Sequence, residues 1–430
     1  MKLLLVLLFN ISIFINLFLT LKNLNKGINF VFSVAICLLA SSLLYFFSLL
    51  SGFGLILSLG VGTVLVLSLL IFKIHKNKLE IIQKNQIIYK LKKTDLLLVF
   101  VCLYAFLLFI NRSQKWGLWD AWAIWSLHAE FLFSPEDWKN LFDPALNWSH
   151  SDYPLFLPSL IALLWNTLGE ISSLIPFVVG FIPYFLIIIF FYFVFENKLI
   201  GIICILLSIS DPGFVSKAAS QYADTYLSLF ILMSYFGLIQ SSKTSQNNIF
   251  PVIVGIISSG TMWIKNEGFA FYIIFSILWM FTFINNRKKL LYYASGSFLI
   301  IFTVVLFKFL LAPPNDVISS NGINYFEKIR DIDRILLIYR YFRDYLLFSV
   351  PIITFVIIAS IFSKSKLNIL IASSILLLFA SYFTVYILSP YEVEWHLETS
   401  FDRLVHQLTP LILFLYVPKL AELFPKAEKL

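Results

Sequence analysis

The feature that most constrains this chain is a succession of long, unbroken apolar runs separated by short, lysine-rich turns. Runs near 3–21, 28–50, 53–73, 94–111, 223–240, 249–264, 267–284, 289–312, 345–362, 367–389 and 404–418 read as membrane spans, because roughly 18 consecutive apolar residues suffice to cross a bilayer as a helix. Three more stretches, 155–169, 173–195 and 199–212, lie between the fourth and fifth. Inside a bilayer every backbone N–H and C=O must be satisfied within the protein, which leaves helices or a closed barrel. A barrel needs alternating strands, and these runs do not alternate. The expected fold is therefore an all-α polytopic membrane protein of about 12–14 transmembrane helices. Composition agrees: 60% of the residues are hydrophobic and 13% charged, against about half and a quarter in soluble domains. A signal peptide is the other reading of residues 3–19, but no small-residue cleavage site follows, so a retained span is expected.

The formal charge of +8 does not indicate nucleic acid. It concentrates in short turns, as expected of cytoplasmic loops. Segment 73–93 carries seven lysines against one acid, Glu80. Arg287, Lys288 and Lys289 mark a second cytoplasmic turn; Lys364 with Lys366, and Lys419, Lys426 and Lys429, mark two more. Counting spans between these anchors places loop 112–153, loop 313–344, segment 390–403 and the starts of the spans at 223 and 267 outside the cytoplasm. Asp152 and Asp224 both come out external, so one of the three stretches between them fails to cross; 155–169 and 199–212 are the short ones. Cys37, Cys102 and Cys204 all sit in apolar runs and imply neither disulfide nor metal. No glycine-rich phosphate loop and no Cys/His metal spacing is present.

Loop 112–153 holds six of the ten tryptophans and six acids against three bases. Trp116, Trp119, Trp122 and Trp125 recur every three residues, near one face of a helix. Such rings serve as an interfacial belt or as a platform for sugar C–H faces, and the two roles are compatible. Asp120, between Trp119 and Trp122, is either a helix N-terminal acid or a general base for an acceptor hydroxyl. Asp224, in QYADTY, is either an N-cap or a functional acid at the edge of hydrocarbon. Lys265 and Glu267, in WIKNEGF, form a polar hairpin turn or meet a lipid phosphate. Arg403 and His406, three apart at the mouth of the last span, share a face; Arg403 is a snorkelling interface residue or a phosphate ligand.

Four segments together carry a resemblance: WDAWAIWSLHAEF (119–131), HSDYPLFLP (150–158), QYADTY (221–226) and TSFDRLVHQLTP (399–410). From about residue 94 to 418 the chain resembles the GT-C superfamily of integral membrane glycosyltransferases, looking most like bacterial relatives of protein O-mannosyltransferases and of the lipid A aminoarabinose transferase. The resemblance implies a GT-C-like module over 94–430, with an external loop carrying interfacial helices, after an N-terminal addition over 1–93. It implies Asp120 as the catalytic acid of the first external loop and Asp224 as a second acid of the site, which in some members holds a metal, so a divalent cofactor there stays open. Tyr153 and Pro154 match the start of the following helix, Arg403 is expected on the carrier phosphate, and Lys265, Glu267, His406 and Trp122 are the further substrate-binding candidates.

The implied activity is hexosyl or pentosyl transfer, with inversion, from a polyprenyl-phosphate-linked donor to a glycan, lipid or protein acceptor on the outer face of a bacterial cytoplasmic membrane. Membrane lipids are the other expected partners, with no nucleic acid. The donor class has an independent argument: an external site lacks nucleotide sugars, whereas a lipid-linked donor arrives by diffusion in the bilayer. The main alternative is a transporter or flippase of lipid-linked sugars. A polymerase or ligase fits less well, because the long loop is acidic rather than arginine-rich.

Overall fold

The computed structural model describes residues 1–76, 93–243, 249–315, 325–349 and 365–422. Among them all regular structure is helical. Most of the basic segment 73–93, most of the expected span 345–362 and the lysines of the extreme tail lie outside the described residues. The described chain forms two compact units, residues 1–141 with 155–222 and residues 142–154 with 223–430.

The first unit contains α1 (Lys2–Thr20), α2 (Lys26–Ser51), α3 (Leu55–Lys76), α4 (Lys93–Arg112), α5 (Leu127–Phe133), α6 (Phe156–Leu168), α7 (Leu174–Val194), α8 (Lys198–Ser210) and α9 (Pro212–Ala219). α2 is its centre, packing on α1, α3, α6 and α7. The buried Tyr45 hydroxyl on α2 donates to Leu132 O at 2.7 Å and accepts from Asn166 Nδ2 of α6 at 2.7 Å, which ties the end of α5 to both helices. α8 and α9 meet at 75°. The cause is local: Pro212 cannot donate a helical N–H and disfavours helical geometry in the residue before it. Asp211 accordingly adopts an extended conformation and caps α9 by accepting from the Gly213 N–H.

The second unit contains α10 (Asp224–Lys243), α11 (Ile249–Ile264), α12 (Glu267–Thr282), α13 (Arg287–Leu310), α14 (Tyr325–Arg330), α15 (Ile332–Asp344), α16 (Lys366–Leu388) and α17 (Val393–Glu422). α10 is buried on every side from Asp224 to Leu238, enclosed by α11, α12 and α17. α11 and α13 cross closely because Gly255 and Gly296 lack side chains: a methyl on either would overlap the facing helix's backbone at Tyr293 or Val252.

Six helices, α1, α2, α4, α7, α13 and α16, are long and apolar enough to span a membrane, and the bent α8–α9 pair makes a seventh if taken as one span. The protein is thus an all-α chain of integral-membrane character. Within the described residues each expected span coincides with a helix, but α6, α11 and α12 are only 13, 16 and 16 residues long. At about 1.5 Å per residue these reach roughly 20–24 Å. Of the two short stretches noted in the sequence, 155–169 is the short α6 and 199–212 runs into the 75° bend. The last helix begins at Val393, well before the expected 404, so Arg403 lies inside a helix rather than at its mouth.

Candidate functional site

The most concentrated polar constellation of the second unit surrounds the first residue of α10. Asp224 is 3% exposed. Its Oδ1 accepts from Lys265 Nζ at 3.0 Å and from Gln407 Nε2 at 2.6 Å, and its Oδ2 accepts from Arg403 Nη2 at 3.0 Å. Lys265 also pairs with Glu267 Oε1 at 2.8 Å. Two carboxylates thus face two cations, with Asp224 and Lys265 almost fully buried and Arg403 and Glu267 partly so. Removing four charges from water costs several kcal/mol per ion, and only close pairing offsets it. A cluster so assembled is weak evidence of stability gained and stronger evidence of an arrangement retained for another purpose.

Helical geometry explains the α17 contribution. Arg403 and Gln407 are four apart and share a face, so both reach Asp224. The sequence pairing of Arg403 with His406 is therefore replaced at this carboxylate by Arg403 with Gln407. His406 instead turns its Nδ1 to the carbonyl of Asp402, one turn back on the same helix.

The cation on the other side, Lys265, comes from the two-residue α11–α12 turn. Gly268 lets this turn close, since a methyl there would overlap the Thr261 carbonyl. Lys265 and Asn266 form the apex and diverge. Lys265 joins Asp224, while Asn266 Nδ2 donates to Asp152 Oδ2 at 2.8 Å. Asp152, 3% exposed, also accepts from Asn315 Nδ2 at 2.7 Å and pairs with Lys308 Nζ at 3.6 Å. Lys308 Nζ in turn donates to the Asp152 carbonyl and to Asn266 Oδ1. These bonds fasten residues 142–154 to the second unit. One residue on, the Tyr153 ring stacks on His150 with centroids 5.0 Å apart.

Asp120 belongs to the first unit. It precedes a π-helical turn, Ala121–Ser126, in helical geometry and makes no side-chain capping bond, so it does not act as an N-cap. Its position is set by the segment 218–222. Leu118 N–H donates to Ser220 O at 3.3 Å, Asp120 N–H to Tyr222 Oη at 3.4 Å, and Gln221 Nε2 to Gln114 O at 2.8 Å. Two left-handed residues permit the approach, Gly117 at φ 72° and Gln221 at φ 64°. For a residue with a side chain that geometry costs about 1–2 kcal/mol, and such strain is characteristically found at functional sites.

The four tryptophans do not share one face. Trp125 is fully buried, Trp119 and Trp122 are half exposed with ring centroids 5.2 Å apart, and Trp116 packs on Trp165. Trp116 lies outside the helix, before the left-handed Gly117, and in the π turn that holds Trp122 and Trp125 hydrogen bonds close five residues apart rather than four, which carries a spacing of three further from a full turn. Trp116, Trp119 and Trp122 line an open hollow of about 640 Å³ with Gln114, Lys115, Gly117 and Leu118.

The sequence-named residues Asp224, Lys265, Glu267 and Arg403 thus form one hydrogen-bonded network, while Asp120 and Trp122 lie in the first unit and Tyr153 and His406 make other contacts. Gln407, Asn266, Asp152 and Lys308 complete the arrangement. Gln407 is legible as the i+4 neighbour of Arg403; Asp152 enters the sequence reading only as an external loop acid and as an anchor of the crossing count. A divalent metal does not fit at Asp224, because both oxygens face nitrogen donors, two of them cationic. Among the described residues no group of three or more His, Cys, Asp or Glu is placed to hold one. No protein-family model matches the chain, and no curated protein or solved structure is significantly similar to it.

Proposed function

We propose that this protein is a GT-C-type glycosyltransferase with about 12–14 transmembrane helices, which moves a sugar from a polyprenyl-phosphate donor to an acceptor on the outer face of a bacterial cytoplasmic membrane. The observation that carries the reading is the convergence of Lys265 and Arg403 on the buried end of α10. A phosphate leaving group needs preorganised cations in a place shielded from water, where each is worth more than in bulk. Arg403 supplies a planar fork and Lys265 a point charge. Asp120 is the base, an assignment that rests on the resemblance in 119–131. In the reaction the acceptor O–H proton passes to Asp120. The oxygen attacks the anomeric carbon from the face opposite the phosphate. The sugar–phosphate C–O bond breaks with its electron pair on the phosphate oxygen, and the anomeric configuration inverts.

Transport of lipid-linked sugars is the second reading, favoured by the broken α8–α9 pair, since interrupted helices are common in transporters. Mass spectrometry of glycans and glycolipids from cells with and without the gene tests whether the protein acts in sugar addition at all, and covalent product from a purified donor separates transfer from transport. Transferase activity predicts loss of one sugar from a glycan, lipid or protein, with the sugar-loaded carrier accumulating. A cell envelope unchanged in every glycan refutes it.

A further inference from the structure

The two carboxylates bound to Lys265 are not equivalent. Asp224 accepts from three side chains through both oxygens, and its side chain is 4% exposed. Glu267 holds Lys265 through Oε1 alone; its Oε2 has no hydrogen-bond partner, and its side chain is 24% exposed. Asp224 is thus fixed by three partners, whereas Glu267 is tethered at one point, with Oε2 buried and unpaired and only the rest of the side chain reaching water. With two acids and two bases the cluster is formally neutral, so an arriving phosphate finds its cations already neutralised.

A second atom bears on the ligand. Gln407 is 1% exposed, and its amide nitrogen must face Asp224 because a carboxylate only accepts. That fixes its Oε1 on the other side, buried and without a hydrogen-bond partner. An unpaired buried acceptor is unfavourable, and a ligand hydroxyl would satisfy it.

Resting on the function proposed above, we infer that Glu267 is a resident counter-ion that occupies Lys265 until phosphate displaces it. The ligand chemistry is a phosphate carrying a nearby hydroxyl, as in a glycosyl phosphate. The phosphate oxygen takes the place of Glu267 Oε1 on Lys265, and the released carboxylate swings toward water while Asp224 stays bound. The competition keeps the cation pair from being unbalanced when the site is empty, at the expense of donor affinity.

The test is binding to the full-length protein in lipid nanodiscs, with two probes: inorganic phosphate and a polyprenyl monophosphate. The proteins are wild type, Glu267→Gln and Glu267→Asp. Glutamine keeps an acceptor oxygen for Lys265 but removes the competing charge. It should bind phosphate at least about tenfold tighter, as expected when a like charge at hydrogen-bonding range of the same ammonium is removed. Aspartate keeps the charge and should stay near wild type. Tighter binding of both probes by Glu267→Gln means the phosphate is recognised by itself; tighter binding of the lipid probe only means the prenyl chain is needed, and either supports the counter-ion role. Unchanged or weaker binding by a folded Glu267→Gln protein, or equal tightening by Glu267→Asp, overturns that role and leaves the donor reading standing. Failure of all three proteins to bind either probe overturns both.

Discussion

Lys265 Nζ lies 3.0 Å from Asp224 Oδ1, although the two residues are 41 positions apart in the chain, and both side chains are almost fully buried. A buried ion is tolerated only with its partner present. Asp224→Ala leaves Lys265 and Arg403 without the carboxylate between them and should destabilise the protein by about 3–5 kcal/mol. Asp224→Asn keeps one acceptor and should cost less. Unfolding in detergent measures both. Equal stability of wild type and Asp224→Ala would mean that water reaches the cluster freely.

Arg403 is tested by its geometry. Its Nη2 reaches Asp224, and as a ligand of phosphate its fork supplies two parallel donors that lysine lacks. Donor affinity in a reconstituted assay should fall for Arg403→Lys and fall further for Arg403→Ala. Wild-type affinity in both variants would reduce Arg403 to an interfacial side chain.

How far the sequence reaches is visible in these same residues. Apolar runs predict helices because lipid leaves the backbone no other solution, and among the described residues each expected span is helical. Asp224, Lys265, Glu267 and Arg403 were legible because ionisable groups in apolar surroundings are conspicuous. Their mutual contact was not, since it depends on how α10, the α11–α12 turn and α17 pack. Local periodicity failed where the backbone departed from the regular helix. The tryptophan spacing assumes one α-helix, but Trp116 precedes the helix and the π turn at 121–126 puts Trp122 at the surface and Trp125 in the core. Asp152 was illegible for another reason: a loop acid reveals its burial only through distant partners, here Asn266, Lys308 and Asn315.

The Asp152 clasp yields a stability prediction of its own. Asp152 and Lys308 meet through the carboxylate and the main-chain carbonyl, with Asn266 bridging them. In a double-mutant cycle, Asp152→Asn and Lys308→Met should be non-additive by about 0.5–3 kcal/mol, the range for residues of one network. Strict additivity would make the contact energetically idle.

Orientation is checked without any assay of activity. The lysine bias predicts loop 112–153 outside and segment 73–93 inside. A cysteine replacing Ser134 should react with a membrane-impermeant maleimide added to intact cells, and one replacing Asn85 should react only after lysis. The reverse pattern would invert the topology and remove the argument for a lipid-linked donor.

In the proposed transfer a carboxylate at position 120 activates the acceptor. The most direct measurement is product formation from a purified polyprenyl-phosphate sugar and an acceptor panel, by wild type and by Asp120→Asn, with donor binding followed in parallel. Asparagine keeps the size of the side chain and removes the base. The account predicts transfer by wild type, turnover lower by roughly 10²–10⁴ in Asp120→Asn, and donor affinity nearly unchanged, because the base acts on the acceptor proton in the transition state. Full turnover by a folded Asp120→Asn protein, or lipid movement without covalent product from wild type, would contradict it.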